Sequence, residues 1–202
     1  MAETVEVTRK KRFPRNERRK QILQALVQML EENSGEKLST ARLAAAVDMS
    51  EAGLYRSFAS KAEMFDALID FIEDSVLGLF GQIRANETMS EIEKAQTMVK
   101  VLLDFAALNP GLTAVLTGKA LVFEKPELTR RLRLLLDRME VGFKQTFREA
   151  VLKGELPGDY NLSGRASMVM AVVMGKWQRF VISDFKERPS MTPSLVSVLL
   201  KP

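Results

Sequence analysis

The stretch LSTARLAAAVDMSEAGLYRSFASKAEMFDAL, residues 38–68, decides the fold. Ser39 or Thr40 can cap a short helix running through Leu43, Ala44 and Val47, because a hydroxyl there accepts an amide that the first turn leaves unbonded. Asp48 and Met49 make the turn. Ser50 caps a second short helix, in which Leu54 and Phe58, four residues apart, point inward while Glu51, Ala52, Tyr55 and Arg56 remain outside. Ser60 and Glu63 have the spacing of a capping box and open a long helix through Phe65, Leu68, Phe71, Ile72, Val76 and Leu79. Two short helices on a tight turn are common, so the pattern alone is weak ground for nucleic-acid binding.

Upstream, Ile22, Leu23, Leu26, Met29 and Leu30 recur at steps of three and four and predict a helix over 15–32, stopped by Ser34 and Gly35. Downstream, Thr88 or Ser90 starts a fifth helix reaching Leu108, where Asn109, Pro110 and Gly111 break the chain before a short sixth helix over 112–121. Pro126 suits the first position of a seventh helix over 126–153, followed by a loop containing Gly154, Pro157, Gly158 and Asp159. An eighth is expected over 162–185, and Thr192 with Pro193 starts a ninth that ends near Leu200. Nothing reads as a sheet or an internal repeat, which predicts an all-α chain of about nine helices. Its expected divisions are a basic arm at 1–14, a helix-turn-helix head at 15–62 and a helical body at 63–202.

With 202 residues, 46% hydrophobic and 28% charged, the chain can bury a sizeable core. No apolar run approaches the roughly 18 residues of a membrane span, and no signal-like segment follows the early charges. The absence of Cys and His removes thiolate and imidazole metal ligands, Cys nucleophiles and the usual Ser/His triad, so no catalytic residue, metal or cofactor is expected. A cytoplasmic chain is the expectation. Net charge is only +4, yet Arg9, Lys10, Lys11, Arg12, Arg15, Arg18, Arg19 and Lys20 face the single acid Glu17. That run is a candidate phosphate-binding arm, or else a solvated terminus.

Residues 38–68 closely resemble the N-terminal signature of TetR-family regulators, through the Leu54–Tyr55 pair, Phe58 three residues after Tyr55, and Ser60–Lys61 opening the fourth helix. The resemblance implies a third helix lying in the major groove of double-stranded DNA. It assigns backbone contacts to Thr40, Tyr55 and Lys61 and base reading to Ser50, Glu51, Ala52 and Arg56. Ser57, where the family usually has His, and Arg12 and Arg15 of the basic run complete the expected DNA-facing set. Asp48 in place of a turn Gly, Gly53 within the recognition helix and Ala59 in place of Pro are further departures. Gly53 should cost an isolated helix roughly 1 kcal/mol relative to Ala.

Bodies of this family dimerise through their last two long helices, a place occupied here by 162–185 and 192–200. The eighth helix is apolar on more than one face, so Met170, Met174, Trp177 and Val181 are expected at a homodimer interface; a buried core helix in a monomer is the alternative. The stretches MFDALIDFIEDS (64–75), NPGLTAVLTGKALVFE (109–124) and RFVISDFKERP (179–189) resemble the nucleoid-occlusion branch of the family. That branch couples DNA binding by dimers to antagonism of the tubulin-like division protein FtsZ, which implies association with the nucleoid. The implied partner groove lies beside the fourth and fifth helices, with Phe71, Asn109 and Leu112 as candidates. Phe71 also reads as core and Asn109–Gly111 as an ordinary helix break. Leu108 stands where the branch commonly has a basic residue. The competing readings are a repressor released by an apolar ligand and an interaction protein without DNA binding.

Overall fold

The computed structural model describes residues 15–32 and 38–201, with side chains from Glu17 onward. Arg12 and the expected stop at Ser34 and Gly35 lie outside these residues, as does the side chain of Arg15. The described chain is all-helical: α1 (Arg15–Glu32), α2 (Thr40–Ala46), α3 (Glu51–Ser57), α4 (Lys61–Ala85), α5 (Glu91–Leu108), α6 (Pro110–Leu116), α7 (Pro126–Leu152), α8 (Leu162–Ile182) and α9 (Pro193–Leu200). A single 3-10 turn spans Lys119–Leu121. No single described helix is long and apolar enough to cross a membrane.

The caps follow the hydroxyls. Ser39 Oγ accepts from the Arg42 amide, Ser50 Oγ from Gly53 and Ser60 Oγ from Glu63. The box expected at Ser60 is only half formed, because the Glu63 carboxylate accepts from the Ala59 amide at 2.6 Å. The reciprocal arrangement occurs at Ser90 and Glu93 instead. Two helices end earlier than the sequence suggests. The sixth stops at Leu116, since Gly118 takes φ +75 and breaks the repeat. The eighth stops at Ile182, where Asp184 and Phe185 both enter the left-handed region and the Phe185 ring folds to 5.2 Å from that of Phe180.

Helices α1, α2 and α3 pack around Ile22, Leu26, Leu30, Leu43, Leu54 and Phe58, all buried. This head is not separate from the body. Helix α4 runs through both, so the expected division at 62/63 falls within its first turn, and α1 also packs along α6. The closeness of that second contact requires Gly111: a Cβ there would stand 2.2 Å from the Val27 carbonyl oxygen.

In the body, α4, α5, α7 and α8 enclose a row of rings from Phe80 through Phe143 and Phe147 to Tyr160, with successive centroids 5.5, 6.2 and 5.6 Å apart. Trp177 of α8 is fully buried and donates its indole N–H to the Leu102 carbonyl of α5 at 3.1 Å. Two expectations are corrected here. Met170, Trp177 and Val181 are buried within the protomer, because their side of α8 faces the helices packed on it, and only Met174 of the expected set is exposed. The long helix beside α8 is α7, whereas α9 is eight residues long and packs on α5 and α8, tied down by the Tyr160 hydroxyl donating to the Leu200 carbonyl.

Candidate nucleic-acid interface

The turn between α2 and α3 is held by the Met49 amide donating to the Ala44 carbonyl, and Asp48 takes φ +51 to achieve it. That is the left-handed region, which explains why a Gly is usual at this turn position. Leu54 and Phe58 are fully buried, which leaves Glu51, Ala52, Tyr55 and Arg56 on the exposed side of α3 as expected. Ser50 spends its side chain on its cap. Gly53 is enclosed by flexible side-chain ends, Met49 Cε, Ser50 Oγ and Arg56 Nη2, the last showing that the Arg56 guanidinium lies back across the start of the helix.

Three cations and hydroxyls are engaged differently from the sequence reading. Thr40, expected to offer its hydroxyl to phosphate, donates it at 2.8 Å to Glu51. Lys61, expected as an exposed backbone contact, is bonded to Glu124, and its side chain is only 16% exposed. Arg19, part of the basic run, turns inward: its Nη1 donates to the Ser57 carbonyl at 2.5 Å and to Glu63 at 3.0 Å, while its guanidinium stacks 3.9 Å over the Phe58 ring. Ser57, half-buried, thereby joins α3 to α1 through its backbone rather than through its side chain.

On the other side of Arg19 opens a groove of about 560 Å³ lined by Leu23 and Val27 of α1, Leu68 and Phe71 of α4, Asn109 and Leu112, with Arg19 and Lys20 at one end. All three candidate partner residues therefore share one cleft. Phe71 is 54% exposed and is not a core residue. Asn109 closes α5 by donating its side-chain amide to the Phe105 carbonyl, and its own carbonyl accepts the Thr113 hydroxyl. The sequence reading missed the α1 wall. Its signal was present in Leu23 and Val27, four apart and one step off the buried stripe of Ile22, Leu26 and Leu30.

An exposed recognition helix on a buried α1–α3 support, joined to a helical body, defines a DNA-binding regulator of the helix-turn-helix kind. Residues 22–68 match the model of bacterial regulatory proteins of the tetR family, and residues 86–199 match the SlmA-like tetracyclin repressor-like C-terminal domain. Nucleoid occlusion factor SlmA of Aliivibrio fischeri strain MJ11 is 43% identical over 86% of this chain and 88% of its own. The SlmA of Sodalis glossinidius is 44% identical over 86% and 87%, and that of Shewanella sediminis 40% over 88% and 89%. Among solved structures, a TetR regulator from Haloarcula marismortui superposes with a TM-score of 0.76 over 91% of this chain and 96% of that one, at 18% identity. FadR of Bacillus subtilis, solved with stearoyl-CoA, gives 0.70 over 90% and 95% at 17% identity; at these identities the likeness concerns the fold alone. The chain belongs to the TetR family, in company with the nucleoid occlusion factors named SlmA, and is a regulator rather than an enzyme.

Proposed function

We propose that this protein is a cytoplasmic, nucleoid-associated occlusion factor which, as a homodimer bound to chromosomal sites, antagonises FtsZ assembly and so blocks septum formation over the DNA. The observation that carries this reading is the meeting of Phe71, Asn109 and Leu112 in one apolar groove that also touches Arg19, the residue bracing the recognition helix. A partner seated there lies one side chain away from the DNA-reading element. Names and extent of similarity to SlmA over most of the chain support the same conclusion.

In this reading Tyr55 and the basic residues Arg12 and Arg15 meet phosphates, Thr40 does so through its backbone amide while its hydroxyl stays on Glu51, Lys61 does so in competition with Glu124, and Glu51, Ala52 and Arg56 face base edges beside Ser50 and Ser57. The dimer surface is the exposed apolar side of the long helices: Leu134 and Val141 of α7 stand seven residues apart, as do Met168, Gly175 and Ile182 of α8, with Met174 alongside.

The test mixes purified protein, GTP-loaded FtsZ and duplexes selected for binding, and follows polymer by sedimentation. Loss of polymer that depends on DNA is the expected result. Unchanged polymer with and without DNA overturns the occlusion reading, and release from DNA by a small apolar molecule would favour a ligand-responsive repressor.

A further inference from the structure

We propose that Glu51 is a base-reading residue that selects cytosine in each half of the bound DNA site, and that Thr40 is the positioning residue that aims its carboxylate. The inference rests on the DNA-binding reading above and adds the base and the device that reads it.

Glu51 is the sole acid of α3 and stands in its first turn. The neighbouring side chains there cannot reach outward. Ser50 is folded onto the Gly53 amide at 3.1 Å, Ala52 ends at Cβ, and Gly53 has no side chain. Glu51 is thus the long side chain rooted in that turn, on the exposed side of the helix expected to meet bases, with the Arg56 guanidinium lying back over Gly53 beside it. A carboxylate in a surface that approaches phosphates weakens binding by like-charge repulsion unless it gains a donor. In the major groove, exocyclic amino groups are that donor. Adenine sets its own N7 acceptor on the open side of the N6 amino group, which opposes a carboxylate, whereas cytosine has only its C5–H on the open side of the N4 amino group, the guanine O6 lying on the paired side. The carboxylate therefore discriminates in favour of cytosine.

Thr40 supplies the aim. Its Oγ1 donates at 2.8 Å to Oε2 of Glu51, tying α2 to α3 across the turn and favouring the carboxylate orientation that keeps this bond. Oε1 then accepts from the base. A glutamate held in advance loses less side-chain freedom on reading its base than one that swings free.

The experiment uses the full chain. Duplexes are selected from a random pool by wild type, Glu51→Gln, Glu51→Ala, Thr40→Val and Thr40→Ser, and the selected sites are then titrated with each base pair replaced singly. The expected wild-type site contains one cytosine per half-site whose replacement costs about tenfold in affinity. Glu51→Ala loses preference at that pair alone while binding scrambled duplex at least as tightly, which also shows that the variant is folded. Glu51→Gln moves the preference there towards adenine, the base a side-chain amide reads. Thr40→Val weakens the cytosine preference and Thr40→Ser keeps it. Unchanged base frequencies for Glu51→Ala overturn the assignment while leaving DNA binding in place. Failure of the wild-type protein to bind any duplex overturns both.

Discussion

Lys61, in the first turn of α4, is bonded to Glu124, in the segment leading to α7, and the two side chains are only 16% and 9% exposed. The DNA-binding head is latched to the body through a partly desolvated ion pair. Removing one partner leaves the other charge withdrawn from water, so Lys61→Ala is expected to lower stability by about 1–3 kcal/mol in urea unfolding. Glu124→Gln releases the ammonium group towards DNA. The slope of log affinity against log salt should then steepen by about 0.9, the value for one added phosphate contact. An unchanged slope would mean that Lys61 never reaches the backbone.

The turn before α3 and the start of α3 both carry residues that a better-adapted sequence would replace. Asp48→Gly relieves the left-handed conformation at φ +51, worth about 1 kcal/mol, and the net change in stability is that gain less whatever the Asp48 side chain contributes through its own interaction. Gly53→Ala should add about 0.4–1 kcal/mol, because the new methyl meets only Met49 Cε at 3.2 Å, Ser50 Oγ at 3.4 Å and Arg56 Nη2 at 3.5 Å, all movable ends. Urea midpoints with unchanged m-values measure both. A loss of stability from Gly53→Ala would show that Met49 cannot give way.

Two substitutions at the groove separate binding from architecture. Phe71→Ala removes a ring that is 54% exposed, so stability should stay within about 0.5 kcal/mol while the proposed antagonism of FtsZ polymer is lost. Gly111→Ala sets a methyl 2.2 Å from the Val27 carbonyl oxygen and forces α1 from α6, at a cost of about 3 kcal/mol or more. Retained FtsZ antagonism in a folded Phe71→Ala protein would move the partner site elsewhere.

Acid sensitivity should concentrate at the junction of α5 and α7. Burial raises the pKa of the Glu91 carboxyl, but the ammonium groups of Lys153 and Lys94 together outweigh it and hold the value below the ordinary one. A depressed carboxylate contributes stability above its unfolded value of about 4.3 and loses it as pH falls through the lower folded value. Glu91→Gln should therefore be less stable than wild type at neutral pH, with the gap closing below pH of about 4. Lys153 shows the opposite sign: its bond to Glu91 raises its pKa, so its contribution persists to alkaline pH and disappears as pH climbs through that raised value. Unfolding free energies between acid and neutral pH, compared for the two proteins, decide the matter, and parallel curves would clear Glu91 of the role.

The helices and their starts were legible because they depend on local physics. Hydroxyls at Ser50, Ser60, Ser90 and Thr192, and proline at the first turn of α7 and α9, act within three or four residues of themselves. The outward set Glu51, Ala52, Tyr55 and Arg56 followed from the inward pair Leu54 and Phe58 by helical geometry alone. What lay outside that range was misread. Met170, Trp177 and Val181 looked like surplus apolar surface, since one helix cannot reveal how many neighbours will cover it.

By itself the sequence determined the all-helical order, the turn at Asp48 and the recognition helix, because each is a property of a short window of chain. Only the tertiary structure decided who meets whom: Arg19 over Phe58, Lys61 on Glu124, Thr40 on Glu51, and α1 as a wall of the groove. A charged side chain takes its role from the opposite charge or carbonyl that folding places beside it, and residues 38 or 63 positions apart carry no local sign of that meeting.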